Sequence, residues 1–394
     1  MSSSLENRFS DNVTKASSNE SSDIETRVDL QLSHQSDPGV CQSDTYADLG
    51  YGIWHDKTYD PETYTTLDFQ GRCELTEGLN WELGDNLRNV TQNSQGTDTP
   101  DNRTRKNIFR TGPVYVVPIT LVDQLRVAAT YENTEFSEPE AIDSDRLIGS
   151  ASWNRLFSPS FSAGLSVSTN KAEFDTGAET TTNVVSLLFS QSWSTTRLSG
   201  SLGVSEIEGD FGGTTQKTDG FVGSVDLERD INLVTTAYLS ASRELTDQTS
   251  DFDVRFGEFV FDLQEISEVE VTAIDAGVRR QFSDASLLNL SVFANRADYI
   301  RTNETEDRLG FNLSYTRTIV PLLSFTSALG YQHETFEDGD LTQKTASLEL
   351  GLNYEWTRDL ALAGLIGRSQ RNSDAQFSEY EENWLLVRLD YRFF

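Results

Sequence analysis

The stretch WLLVRLDYRFF, residues 384–394, decides the fold of this chain. Leu385, Val387, Leu389, Tyr391 and Phe393 form one apolar row at a spacing of two. The other row, Trp384, Leu386, Arg388, Asp390, Arg392 and Phe394, is polar through its middle. Spacing of two is the strand period, so the segment reads as a strand with one oily and one wet face. It runs into an aromatic end, as the final strand of an outer-membrane barrel does when it closes on the first strand near the membrane edge. The edge strand of a soluble sandwich is the competing reading, and the rest of the chain chooses between them.

The same period recurs along all 394 residues. The clearest repeat sets Ala346, Leu348, Leu350, Leu352, Tyr354 and Trp356 against Thr345, Ser347, Glu349, Gly351, Asn353 and Glu355. Counting back gives about 20 strands (range 16–20) of roughly 10–16 residues, long enough to cross a bilayer at a tilt. Sandwich strands are roughly half that length. Turn signals alternate with longer polar stretches. Short connections are expected near Ser36, Thr76, Pro118, Ser158, Thr195, Asp230, Asp284, Pro321 and Arg358. Long ones are expected near Ser17, Thr58, Asp98, Pro139, Thr176, Gly212, Asp253, Asn303, Asp338 and Ser373. Short turns at one end and long loops at the other is the asymmetry of a transmembrane up-and-down β-barrel, with periplasmic turns and extracellular loops. The expected fold is therefore all-β, one antiparallel barrel over residues 1–394.

Composition agrees. Only 36% of residues are hydrophobic, yet 22 Phe and 13 Tyr are present, with a formal charge of −32. Disorder would explain the charge but predicts few aromatics and no periodicity. No apolar run approaches the roughly 18 residues of a transmembrane helix. The acidity excludes nucleic acid as a partner, since no basic patch exists to neutralise phosphates. The acid is expected in the loops, where divalent cations would bridge it to anionic lipid. The opening MSSSLENRF lacks a basic n-region and an apolar h-region and is not a signal peptide; a mature or truncated chain is the expectation.

Four Trp lie within a few residues of a short turn: Trp81, Trp153, Trp193 and Trp356. With Phe393 and Phe394 they are expected to form the girdle at the periplasmic interface. Cys41 and Cys73 sit across a hairpin centred near Lys57, both on the apolar parity, and are candidates for a disulfide. Unpaired small apolar residues are the alternative. Parity sends Glu349, Glu355, Asp226, Asp275, Arg279 and Arg388 into the lumen, together with Asp219 and others. Acids outnumber bases there, so a modest cation preference is expected.

No catalytic, metal or cofactor set emerges. His34, His55 and His333 lie near strand ends or loops without a Ser nucleophile and acidic partner beside them in sequence. The acidic segments 337–340 and 247–253 read as solvated rather than Ca²⁺-binding. Residues 246–266 hold Phe252, Phe256, Phe259 and Phe261, too many aromatics to stay in water, so this loop is expected to fold onto the mouth or into the lumen.

The opening RFSDNVTKASSNESSDIETRVDLQL and the later RRQFSDASLLNLSVFANRADY resemble a family of Gram-negative outer-membrane barrels. That family is associated with exopolysaccharide and exosortase (PEP-CTERM) gene clusters. The resemblance covers most of the chain in rhythm and these two stretches in residues. It implies a part in polysaccharide export and carries over no catalytic residue. The expected protein is a passive channel or conduit in the bacterial outer membrane, without enzymatic activity or cofactor. Its partners would be outer-membrane lipid, the barrel assembly machinery and a polysaccharide. A docking protein with a plugged lumen, or a general diffusion porin, is the alternative.

Overall fold

The computed structural model describes residues 1–93, 96–138, 141–210, 213–247, 268–282, 286–302, 304–336, 341–374 and 378–393. The first hairpins are built from β1 (Ser2–Ser10), β2 (Asp23–Gln35), β3 (Cys41–Trp54), β4 (Glu62–Thr76) and β5 (Leu79–Thr91). A single 3-10 turn (Pro100–Asn102) precedes β6 (Arg103–Pro118). Then come β7 (Asp123–Phe136), β8 (Ser144–Ser158), β9 (Phe161–Phe174) and β10 (Glu179–Ser192). The next group is β11 (Thr196–Asp210), β12 (Thr215–Asn232), β13 (Thr235–Asp247), β14 (Glu268–Gln281) and β15 (Leu287–Tyr299). The last are β16 (Thr305–Val320), β17 (Leu323–Phe336), β18 (Leu341–Glu355), β19 (Leu360–Ser373) and β20 (Tyr380–Arg392).

Each strand pairs antiparallel with the next, and β20 returns to β1, so the 20 strands close into one barrel. At the closing seam Leu5 faces Leu389 and Glu6 faces Arg388, and the Phe393 amide donates to the Met1 carbonyl at 3.0 Å. Closure leaves no edge strand, though short stretches beyond Leu67–Leu87 and Gly223–Arg243 lack a ladder on one side. The alternation now has a physical cause. Successive side chains leave opposite faces of the pleat, so Leu385, Val387, Leu389 and Tyr391 all point outward and exposed, while Arg388 and Asp390 point in. Asp85 interrupts the outward row between Leu83 and Leu87, its carboxylate hydrogen-bonded by the Asn107 amide.

Two local devices keep the ladder regular. Gly78 takes φ +77° in the tight β4–β5 turn, where a Cβ would meet the Val116 carbonyl. On β6 the pairing to β7 lapses at Gly112 and Pro113, because Pro has no amide to donate, and a Cβ on Gly112 would run into the Ala129 carbonyl.

Among the described residues the expected connection points fall between strands or within two residues of a strand end, as Thr76, Pro118, Ser158, Asp230 and Ser373 do. The length contrast is uneven, which corrects the expectation of long loops throughout one end. Connections 11–22 and 92–102 are long, but 175–178 is no longer than the turn 119–122, and 300–304 no longer than 36–40. The strands run on past the apolar band, so sequence that reads as loop is used as paired strand.

Candidate pore

The inner wall is the row of each strand that alternates with the apolar row. Glu349, between Ala328 and Gly367 of the neighbouring strands, lies on it. So does Asp226, which accepts from the Ser240 hydroxyl at 2.7 Å. The Arg279 guanidinium donates to Asn289 at 3.2 Å. Glu355, Arg388 and Asp390 line a cavity of about 330 Å³ at the turn end, where Arg388 and Asp390 pair at 3.1 Å. Asp275 lines a larger cavity of about 620 Å³ with Ser240, Asn295, Asn312, Thr345 and Phe293. Asp219 is a correction: it shares the parity of Phe221 and Val225 on β12 and faces outward, opposite Glu206.

Trp81, Trp193 and Trp356 are exposed at the turn end. Trp81 donates to the Thr111 hydroxyl at 2.8 Å, and Trp153 of the same end to Asp123 at 3.2 Å. Phe393 lies beside Tyr391 with ring centroids 5.0 Å apart; Phe394 lies outside the described residues. Cys41 and Cys73 are direct cross-strand partners, Cα atoms 4.0 Å apart, and their sulfurs are bonded. The acidic segment 337–340 and most of 247–253 lie outside the described residues. Among the described residues no cluster of His, Cys, Asp and Glu suits a metal ion.

The upper inner wall carries Glu25, Arg27 and Glu132, which parity already sends inward, together with charges the sequence reading passed over. Arg8 pairs with Glu382 at 2.8 Å, and Ser10 donates to the same carboxylate. Arg110 and Arg146 share Glu132 at 2.6 and 3.3 Å. Arg308 meets Glu334 at 2.7 Å. Tyr64 donates to Glu25 at 2.7 Å beneath the Arg27 guanidinium, which stands 4.1 Å over its ring. Parity could have found the rest, since the same alternation of faces runs through their strands.

Above this ring a cap of loops covers one side of the mouth. The Lys15 ammonium donates to the Asp98 carbonyl at 2.7 Å, and Arg103 holds the Asp98 carboxylate at 2.9 and 3.2 Å. Arg371 on β19 donates to the Gly96 carbonyl at 2.8 Å, although β20 and β1–β4 separate the two around the wall. Gly96 and the residues that follow it therefore reach across the opening. Lys15 and Arg371 both stand over the Tyr380 ring, at 5.5 and 5.7 Å. Burial lowers the Lys15 ammonium below its usual range and pushes the Tyr59 phenol up to about 12. Burial alone would raise Asp98, but the Arg103 hydrogen bond and charge, with Lys15, hold it below the usual carboxylate value.

The opposite side of the mouth is narrowed from the wall itself. The β12–β13 ladder climbs from Asn232–Thr235 to Gly223–Arg243 and ends there, while β12 continues to Thr215. From Arg243 the end of β13 leans inward, still paired to β14. Leu245 packs on Ile207 and Val222, which are inward residues of β11 and β12. Asp247 reaches Arg146 on β8, past β9–β12, and both are nearly fully buried. The outer face of the β13 end thus lies on the inner face of its neighbours. The loop 248–267 that follows lies outside the described residues.

Residues 307–393, from β16 to β20, match the family described as "Putative beta-barrel porin 2". Among solved structures the chain is similar to the FrpB iron transporter from Neisseria meningitidis. For the F3-3 variant the identity is 9% and the TM-score 0.50, over 99% of this chain and 81% of that one. For the F5-1 variant the identity is 8% and the TM-score 0.50, over 99% and 82%. At such identities the likeness is one of fold, a large closed barrel. No curated protein matches the sequence.

Proposed function

We propose that this chain is an outer-membrane β-barrel that serves as a passive, porin-like conduit with a narrowed mouth. The observation that carries the reading is the outward face. Leu187, Val204, Phe221, Leu309, Leu352, Val387 and their neighbours stand exposed around the barrel, far more contiguous apolar surface than a protein leaves in water. Acyl chains are the solvent that fits it, and the Trp at the turn end suit the inner interface. The inner wall is polar and holds cavities of about 330, 340 and 620 Å³, which suits water-filled passage rather than a packed core. The chain does no chemistry on this reading, and the barrel assembly machinery is its folding partner.

A polyhydroxylated cargo, such as a secreted glycan, is the class we favour. The 620 Å³ cavity is lined mainly by hydroxyls and amides, from Ser242, Asn312, Gln332 and Ser347, beside the Phe293 ring. The resemblance to barrels of exopolysaccharide clusters points the same way. The rival is a docking protein with a closed lumen, favoured by the buried ion pairs at the mouth. Reconstitution into planar bilayers separates them. Stepwise, weakly cation-selective conductance is expected from detergent-extracted protein that migrates faster before boiling than after. A protein soluble without detergent would sink the membrane reading, and a folded barrel without steps would favour the docking one.

A further inference from the structure

We infer that the end of β13 and the start of β14 set the size limit of the pore, held across the lumen by Asp247–Arg146 and Leu245. This deepens the conduit reading and rests on it for its functional meaning. A barrel strand normally carries its ladder to the rim, because an unmade rung leaves backbone donors and acceptors to find other partners. Here β13 leaves β12 at Gly223–Arg243 and takes β14 with it, since their own ladder runs unbroken from Thr235–Arg280 to Asp247–Glu268. The departure is fastened in two places.

At the split itself, Arg243 bridges the two strands. It donates to the Phe221 carbonyl at 3.1 Å and pairs with Glu270 at 2.6 Å. Deeper in, Leu245 fills an apolar patch with Ile207 and Val222, in a cavity wall that otherwise carries mainly hydroxyls and charged groups. Asp247 then meets Arg146, whose other partner, Glu132, also engages Arg110. Apolar contact fixes the depth of the tip, and the ion pair fixes its reach. Beneath it lies a cavity of about 340 Å³ that includes Ser201, Ser205 and Ser224. A solute entering from the loop end must pass the tip before reaching those hydroxyls.

The test uses the full-length protein in outer membranes, in a Cys41→Ser/Cys73→Ser background. Ser224→Cys reports on the cavity through its labelling by a bulky maleimide. Adding Asp247→Ala should speed that labelling and, in planar bilayers, raise conductance roughly twofold or more. In a separate variant, Val222→Cys with Leu245→Cys should cross-link on oxidation and keep conductance at the unmodified level. Unchanged labelling in Asp247→Ala, or no cross-link between 222 and 245, overturns the inference. Should Asp247→Ala fail to fold, the cross-link alone decides, because it needs no loss of a buried partner. Faster labelling with no conductance in any variant would uphold the tip and reject the conduit.

Discussion

At Leu350 and Glu349 one step along β18 changes the solvent. Leu350 shares its face with Leu348, Leu352 and Tyr354, whereas Glu349 shares the inner face with Ser347 and Gly351. On the membrane reading an Arg on the lipid face near the midplane costs about 2–4 kcal/mol, and one in the lumen costs little. Leu350→Arg should therefore lose that much stability in phosphatidylcholine vesicles, read by urea titration. Glu349→Arg should fold like the parent and shift the reversal potential toward anions. Equal stability of the two variants would refute the assignment of faces. A soluble sandwich would also suffer at Leu350, so the need for a bilayer or detergent is the discriminating half.

Two elements deserve separate measurements. The β3–β4 hairpin carries the Cys41–Cys73 pair on its outward face near the turn end. Its disulfide is expected in protein isolated from an oxidising compartment. Linked peptides in a non-reduced digest would support it, and two free thiols in folded protein would remove it. The cap over the mouth is tied instead by charge. Asp98 is held below its ordinary value of 3.8, so its contribution is complete above that value and is lost as the pH falls through the lower, folded one. Acidifying the loop-end compartment should leave conductance steady down to the ordinary carboxylate range and raise it below. Asp98→Asn should lack that acid step; a step centred near neutrality, or one that survives in Asp98→Asn, would assign the effect to other groups.

On the scale of the whole molecule, strand number, strand order and turn positions were legible in the sequence, because each follows from a local rule. The period of two is a property of the pleat, turn residues mark where the chain reverses, and hairpins in succession can only pair neighbours until the last meets the first. The same rule placed Glu349, Glu355, Asp226, Asp275, Arg279 and Arg388 on the inner row, and a miscounted parity put Asp219 there in error. Tertiary structure decided everything that depends on distance in the sequence. Asp247 and Arg146 lie 101 residues apart, and Arg371 and the Gly96 carbonyl lie 275 apart. No periodicity records that these groups meet, because the meeting is fixed by the curvature of the closed wall and by which strand leaves its ladder early. The alternation of faces determined that there is a lumen; only the fold determined how its mouth is narrowed.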